Sequence, residues 1–203
     1  MVAYKNLKSL LLLLLFFDCS SSTKTVLENQ SASSLAGADI ETLVAKFKEI
    51  SSDTFKVISS LDYNEETYRF KGVILDSAEI KLLPKEIVKN NQHDKNFYAC
   101  YKFQMDNQHT GLIIRTPSMY TPSSLKLFVM DNSEKKILET YIELAETVVQ
   151  LVEYWDKKTF IVKDKTSATT FLIWEHQNED TTEIFYTIRF RNERFDTLSV
   201  VTK

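Results

Sequence analysis

Histidine and cysteine side chains can support metal binding, nucleophilic attack or proton transfer. None of the histidines (His93, His109 and His176) stands in an H-x-x-x-H or H-E-x-x-H spacing or near a C-x-x-C pair. A zinc site would therefore have to be assembled entirely by the fold. Each histidine lies among polar residues typical of loops, so we interpret all of them as solvated surface side chains and expect neither a metal nor a cofactor.

Cys100 could act as a nucleophile only beside a base in an exposed, electropositive setting. It stands between Tyr98 and Lys102 in a strand-like stretch, which favours a packed and inert thiol. The chain has no G-x-S-x-G elbow, Walker loop or G-x-G-x-x-G motif, and its 3 glycines are few for a loop that cradles phosphate. The sequence thus supports no enzyme class, although an active site assembled only in the fold stays open.

The loop from Arg115 to Ser124 has a composition suited to recognition. It carries two of the chain's 3 prolines, several hydroxyl groups, a methionine and a tyrosine. We predict that this loop is a contact surface, with the candidate residues Arg115, Met119, Tyr120, Ser123 and Ser124. The alternative is that Met119 and Tyr120 fold back over the core beneath a long connection.

Cys19 follows an apolar run close to the start of the chain. Lys5 and Lys8 precede the run LLLLLLFF, and Asp18 and Cys19 follow it. Positive, apolar and polar regions in this order are the layout of a secretory signal. As a helix the run spans about 12 Å, against the ~30 Å hydrocarbon core of a bilayer, so it is too short for a lasting transmembrane helix.

Residues 1–22 resemble a bacterial lipoprotein signal peptide, in which the cysteine after the apolar region receives a diacylglyceryl group and becomes the first mature residue. The resemblance implies that residues 1–18 are removed, that Cys19 is the lipid attachment site, and that the protein contacts a membrane of the cell envelope through this anchor. The alternative is export as a soluble protein without lipid, since Phe16, Phe17 and Asp18 stand where the family favours Leu and small residues.

The composition is globular, and its 12 % of aromatic residues favours strands. The net charge is −3 and the basic residues are scattered, so we exclude nucleic acid as a partner. Residues 19–38 are rich in Ser, Thr and Ala, which predicts a flexible tether behind the lipidated cysteine. Residues 39–203 are long enough for one domain with one core.

Alternating apolar residues predict most of this domain as strands. The clearest stretches are 97–105, 111–115, 125–130, 160–162, 171–173, 184–191 and 198–201. Asp106 with Asn107 is expected to turn the chain after the first of them. Trp155 and Trp174 could stack on sugar rings, but isolated tryptophans in strand patterns favour core positions.

The beginning of the domain is predicted to contain the single helix. Asp39 is a suitable N-cap, and apolar residues follow at helical spacing as far as Ile50. Residues 55–60 and 68–73 are then predicted as two strands of a hairpin. A continuous helix over 39–61 is the competing interpretation, because the apolar stripe continues to Leu61.

The stretch from Ile137 to Trp155 fits a helix and a strand equally well by spacing. We predict two strands, because β-branched residues are dense here and both flanks are strand-like. The predicted fold is therefore mainly β, a single antiparallel sheet, sandwich or meander with one short N-terminal helix. The alternative is an α+β domain with a helix at 134–155.

Function is less determined than fold. The export signal, the tether and the lack of a catalytic motif favour a membrane-tethered envelope lipoprotein that acts as a binding or structural module, with a protein or a glycan as its ligand. The alternative is a secreted or envelope hydrolase whose site forms only in the fold.

The lipid anchor yields a first prediction. Protein purified from bacterial membranes should begin at Cys19, carry acyl chains on that residue and partition into detergent. One acyl chain gives only marginal binding at about 0.8 kcal/mol per buried CH₂, so durable anchoring needs several. Cys19→Ser should release the protein without unfolding it. Mass spectrometry of the N-terminus checks this, and an intact Met1, or an unmodified Cys19 after cleavage elsewhere, would contradict it.

Overall fold

The computed structural model of this chain describes residues 39–59, 68–91, 93, 96–118, 124–149, 154–163, 169–177 and 182–203. The predicted signal segment, Cys19 and the predicted tether lie outside the described residues, as do Met119, Tyr120 and Ser123 of the predicted contact loop. The described residues belong to one compact unit.

Strands dominate the domain. They are β1 (Lys48–Glu49), β2 (Thr54–Ile58), β3 (Val73–Ile74), β4 (Tyr98–Gln104), β5 (His109–Thr116), β6 (Ser124–Asp131), β7 (Lys136–Val149), β8 (Tyr154–Lys163), β9 (Thr169–Gln177), β10 (Thr182–Arg191) and β11 (Arg194–Thr202). The helices are α1 (Ile40–Ala45), α2 (Ser77–Ile80) and α3 (Lys85–Asn90). Strands make up 62 % of the described residues, which confirms the prediction of a mainly β domain. Among the described residues, no helix has the length and apolar character needed to cross a membrane.

The strands form one mixed sheet in the order β1-β4-β5-β6-β7-β8-β9-β10-β11, with β2 beside β8 and β3 beside β4. β1 runs parallel to β4, and the other pairings of the described strands are antiparallel. From β4 to β11 each strand pairs with its neighbour in sequence, as in the predicted meander. The sheet does not close into a barrel.

β7 occupies most of the stretch in which helical and strand spacings compete. It pairs with β6 over residues 136–145 and with β8 over residues 146–149, and its register against β6 shifts at two places. Each shift changes which face the following side chains occupy, so the buried residues of β7 lose strict alternation. The helix alternative is therefore wrong over 136–149, and the next strand begins at Tyr154.

The beginning of the domain differs from both predictions made for it. α1 ends at Ala45, because residues 48–49 turn away to pair with β4 and the Ile50 amide donates to the Lys102 carbonyl at 2.9 Å. The continuous helix over 39–61 is therefore wrong. The predicted hairpin is also wrong, because β2 pairs with β8. Of the second stretch only Val73 lies in a strand, and that strand, β3, pairs with β4.

Two further helices were not predicted. α2 begins with a capping box, in which the Asp76 carboxylate accepts from the Glu79 amide at 2.9 Å and the Glu79 carboxylate accepts from the Asp76 amide at 2.7 Å. α3 follows directly after Pro84. Ile80, Leu83 and Ile87 bury this short helical layer against the sheet.

Two hydrophobic cores lie on opposite faces of β4, β5 and β6. One core is packed beneath the helices and includes Leu43, Phe47, Leu83, Phe97, Leu112, Ile114 and Phe128. The other lies between β4–β7 and the later strands and includes Val57, Phe103, Ile113, Leu127, Leu144, Ile161, Phe171 and Ile173. The sheet therefore bends so that its second half covers the inner face of its first half.

A bulge in β4 distributes its side chains between these cores. Ala99 pairs with Ile114 and Tyr101 pairs with Ile113, which leaves Cys100 as the extra residue. Ala99 packs in the core beneath the helices, whereas Cys100 and Phe103 pack in the inner core. The simple alternation predicted for 97–105 therefore changes face at Cys100.

The outer face of the second half of the sheet carries apolar side chains beside lysines. Phe160 and Leu172 are 38 % and 42 % exposed. Lysine ammonium groups stand over aromatic rings here, at distances to the ring centroid of 5.6 Å for Lys56 and Phe160, 4.5 Å for Lys158 and Trp174, and 5.2 Å for Lys203 and Phe185. Trp174 lies on this outer face and Trp155 on the opposite face of β8, and both are half-buried. Neither belongs to the hydrophobic cores of the described residues, so the prediction that they are core residues is wrong.

Gly111 yields a prediction about packing in the inner core. A Cβ atom at this position would lie 2.8 Å from Phe103 Cζ and 3.1 Å from Leu127 Cδ1, and both neighbours are fully buried. Gly111→Ala should therefore lower the free energy of unfolding by about 1–3 kcal/mol, measured by urea denaturation. In a Phe103→Leu background the loss should shrink, because the ring edge is gone. An equal loss in both backgrounds would show that the clash is not the cause.

Candidate functional site

A cavity of about 450 Å³ opens between the end of α3, the two ends of the 117–124 loop and the strands β6 and β7. We call it the loop cavity. Most of the residues that line it have polar or charged side chains, and they are Ile87, Asn90, Asn91, His93, Pro117, Ser118, Ser124, Lys126, Tyr141 and Glu146. The loop predicted as a contact surface therefore meets this cavity at both of its described ends.

A second bulge places acidic side chains beside this cavity. Leu125 pairs with Ala145 and Lys126 pairs with Glu143, so Leu144 is the extra residue. Leu144 is fully buried in the inner core, and Glu143 takes the position opposite Lys126 that Leu144 would otherwise occupy. The bulge thus brings a carboxylate to the lysine without exposing the leucine.

Lys126 is held by two partners at the wall of the loop cavity. Its Nζ lies 2.9 Å from Glu143 Oε2 and donates to Ser124 Oγ at 2.7 Å. Ser124 Oγ is also 3.1 Å from Thr116 Oγ1, and both hydroxyls are fully buried. The ammonium group is therefore fixed in position and its charge is balanced.

Glu143 also belongs to a longer chain of ion pairs. Its Oε1 lies 3.0 Å from Lys157 Nζ, and that ammonium lies 2.8 Å from Glu175 Oε1. Burial raises the pKa of Glu143, but the charges of Lys126 and Lys157 outweigh this effect and lower it overall. Burial likewise lowers the pKa of Lys157, and the two glutamates outweigh it, so that pKa is raised. These groups are held in their charged forms.

Glu146 differs from its acidic neighbour. Burial raises its pKa, and the nearby charge of Glu143 raises it further. Ser118 Oγ donates to Glu146 Oε1. The loop cavity therefore contains one carboxyl group that is biased toward its neutral form and is oriented by a serine of the predicted contact loop.

Tyr141 supplies an aromatic ring to the same cavity. Burial raises its pKa, as do the charges of Glu86 and Glu143, so the phenol stays protonated and can donate a hydrogen bond. Its ring packs at 5.6 Å from the Phe128 ring, which fixes its orientation. His93 is exposed at the mouth of the cavity. An imidazole and a carboxyl group with a raised pKa therefore line one cavity.

The structure describes only two of the candidate contact residues, Arg115 and Ser124, and both are buried. Arg115 Nη2 donates to the Lys71 carbonyl at 2.8 Å, and its guanidinium group lies 3.8 Å from the centroid of the Tyr98 ring. Arg115 therefore ties the sheet to residues 68–72, and Ser124 supports Lys126. Met119, Tyr120, Ser123 and the lipid site Cys19 lie outside the described residues.

The other residues considered for chemistry, Cys100, His109 and His176, are held by neighbouring protein groups. Cys100 is a buried free cysteine, as predicted, and burial raises the pKa of its thiol to about 12. His109 Nδ1 lies 2.8 Å from Asp106 Oδ1, and His176 stacks on Trp174. No group of three or more His, Cys, Asp or Glu side chains within the described ranges is arranged to hold a metal ion.

No family model, curated protein or solved structure matches this chain.

Glu146 yields a prediction about pH dependence. Because its pKa is raised in the folded state, the unfolded chain ionises this carboxyl group first as the pH rises, and the native state then loses stability. Glu146→Gln removes this loss and keeps an oxygen to accept from Ser118. The stability of the variant relative to the native protein should therefore rise between about pH 4 and about pH 7, measured by urea unfolding.

Glu139→Gln is the control for this experiment, since Glu139 lies on the same strand and is exposed. The stability of Glu139→Gln relative to the native protein should not rise with pH in this way. A constant difference between Glu146→Gln and the native protein across this pH range would contradict the raised pKa.

Proposed function

We propose that this protein is a membrane-tethered envelope lipoprotein whose folded domain binds an uncharged, polar ligand of the glycan class in the loop cavity. The signal-like start of the chain and the Ser-rich segment behind Cys19 motivate the tether. The lining of the loop cavity motivates the ligand class.

The observation that carries the proposal is the balance of charge in the cavity wall. Lys126 is neutralised by Glu143, and the raised pKa of Glu146 favours its neutral carboxyl form. A ligand with a formal charge would find the Lys126 and Glu143 charges already paired with each other. A neutral molecule rich in hydroxyl groups needs no opposite charge in the cavity wall, because it can bind through hydrogen bonds alone.

The same lining offers many hydrogen-bonding groups and one ring. Asn90, Ser118 and Glu146 can donate to or accept from hydroxyl groups. The Tyr141 ring offers an apolar surface, as the faces of sugar rings require. The volume of about 450 Å³ falls within the roughly 300–1,000 Å³ of sites for small molecules. Sugars have the matching properties, namely a suitable size, many hydroxyl groups and a flat apolar ring face.

The second candidate is a hydrolase, and one observation favours it. Glu146 and His93 line the same cavity, and a carboxyl group with a raised pKa is suited to act as a general acid near neutral pH. In this alternative, Glu146 would protonate the leaving oxygen of a glycosidic bond. Glu143 would supply a second carboxylate nearby, which its ion pairs with Lys126 and Lys157 keep charged.

The test is titration of the full chain with glucose, N-acetylglucosamine and their β-linked dimers, followed by saturation-transfer NMR. Glu146→Ala and Tyr141→Leu should each weaken saccharide binding by at least about tenfold, because each removes a group that contacts the ligand. Glu139→Ala is the matched control on β7 and should bind as the native protein does. Absence of saturable binding to the native protein, or equal weakening in the control, would refute the proposal.

Glu146→Gln separates the two candidates in the same experiment. The amide keeps the size and the acceptor oxygen of the side chain but cannot give up a proton as an acid does. A binding module should therefore retain most of its saccharide affinity in this variant. A hydrolase would convert the dimers to monomers over time in the native protein and lose this conversion in Glu146→Gln.

A further inference from the structure

A second cavity, of about 470 Å³, lies on another side of the domain and is lined by cationic side chains. We call it the basic cavity. Lys46 and Lys48 reach it from the end of α1 and from β1, Arg69 and Lys71 from the segment before β3, and residues of β4 form its floor. From this geometry we infer that the basic cavity binds a phosphate group.

Within the part of the chain that the structure describes, three of the four cations at this site have no ion-pair partner. Lys46 pairs with Glu79 at 2.6 Å, but Lys48, Arg69 and Lys71 form no ion pair within the described residues, and the cavity lining contains no carboxylate. The chain as a whole carries a net charge of −3, so a concentration of positive charge is a local feature. A concave surface lined by one sign of charge raises the local concentration of the opposite ion.

Buried neighbours hold the segment that supplies Arg69 and Lys71. Phe70 lies between them and is fully buried in the inner core, and its carbonyl accepts from the Cys100 thiol at 3.3 Å. The Lys71 carbonyl accepts from Arg115 at 2.8 Å. The two cationic residues are therefore attached to a fixed backbone at the rim of the cavity.

Gly72 brings this segment close to β4. Its φ is +69°, and a Cβ atom there would lie 2.8 Å from the Ala99 carbonyl oxygen. Both the conformation and the contact require glycine. This close approach sets Lys71 beside the cavity floor at β4, opposite Lys48 on the parallel strand β1.

The Arg69 side chain is also held in one orientation, by the ring of Phe55. Its guanidinium group lies 4.8 Å from the centroid of the Phe55 ring, and Phe55 is buried. A planar guanidinium fork with two ammonium groups is the donor set that recognises phosphate oxygens through charge-assisted hydrogen bonds. The site is separate from the loop cavity, and its ligand class differs in charge from the glycan proposed there.

The experiment titrates inorganic phosphate into the full chain at low ionic strength and follows binding by isothermal calorimetry. The double variant Lys48→Gln with Lys71→Gln should weaken phosphate binding by at least about tenfold. The control is Lys81→Gln with Lys85→Gln, which removes the same charge from exposed positions in the helical layer and should leave binding unchanged. Arg69→Lys keeps the charge but loses the fork, and should weaken binding by a smaller factor.

A second titration with glycerophosphoglycerol identifies the source of the phosphate group. Tighter binding of this diester than of inorganic phosphate would assign a phospholipid headgroup, and the reverse order would assign a soluble phosphate compound. Either order supports the site. Absence of saturable binding of both compounds, or equal weakening by the two double variants, would overturn the inference. Saccharide binding at the loop cavity does not depend on these lysines, so the two proposals can fail separately.

Discussion

Strands that are apolar on both faces must be covered on both sides, and β4, β5 and β6 impose this constraint on the domain. Ile113 and Ile114 are neighbours in β5, both are fully buried, and each belongs to a different core. The helices α1 to α3 are too short to cover more than one face, so the later strands must cover the other. The sheet therefore bends, and the bulges at Cys100 and Leu144 are suited to bending it because an extra residue increases local twist. The loop cavity lies where α3, at the end of the helical layer, meets the bulged part of β7.

Local alternation predicted the later strands because both the apolar pattern and the turn residues lie within a few positions. Asp106 shows how directly this works, since its carboxylate accepts from the Gln108 and His109 amides and closes the turn predicted there. Pairing between strands that are distant in sequence cannot be predicted from such local patterns. β2 lies beside β8, about one hundred residues later, and nothing near Phe55 or Val57 indicates that partner. The bulges are hidden for the same reason, because an extra residue is defined only against the partner strand.

The loop cavity was missed because its residues form no motif. Its charged groups come from β6 and β7, and their arrangement depends on the bulge at Leu144. A signal for it is present in the sequence, since Lys126 is the charged residue of the otherwise apolar run LKLFVM, and such a residue needs a partner when it is buried. The capping box of Asp76 and Glu79 was likewise visible in the sequence. His93 carried no such signal, because a histidine in a polar stretch is usually a solvated one.

The lysines that stand over aromatic rings on the outer face of the sheet affect how copies of the protein behave when they meet. A β surface that carries Phe160, Leu172 and Trp174 would otherwise favour face-to-face association of two copies, which is a first step of aggregation. The Lys158 ammonium is paired with Asp156 at 2.6 Å, whereas the Lys56 ammonium over Phe160 has no ion-pair partner among the described residues. Lys56 therefore adds positive charge to this apolar area, and two such faces repel one another there at low ionic strength. Lysines on this face therefore oppose self-association of the protein. Salt weakens this effect, because it screens the charge and leaves the apolar attraction in place.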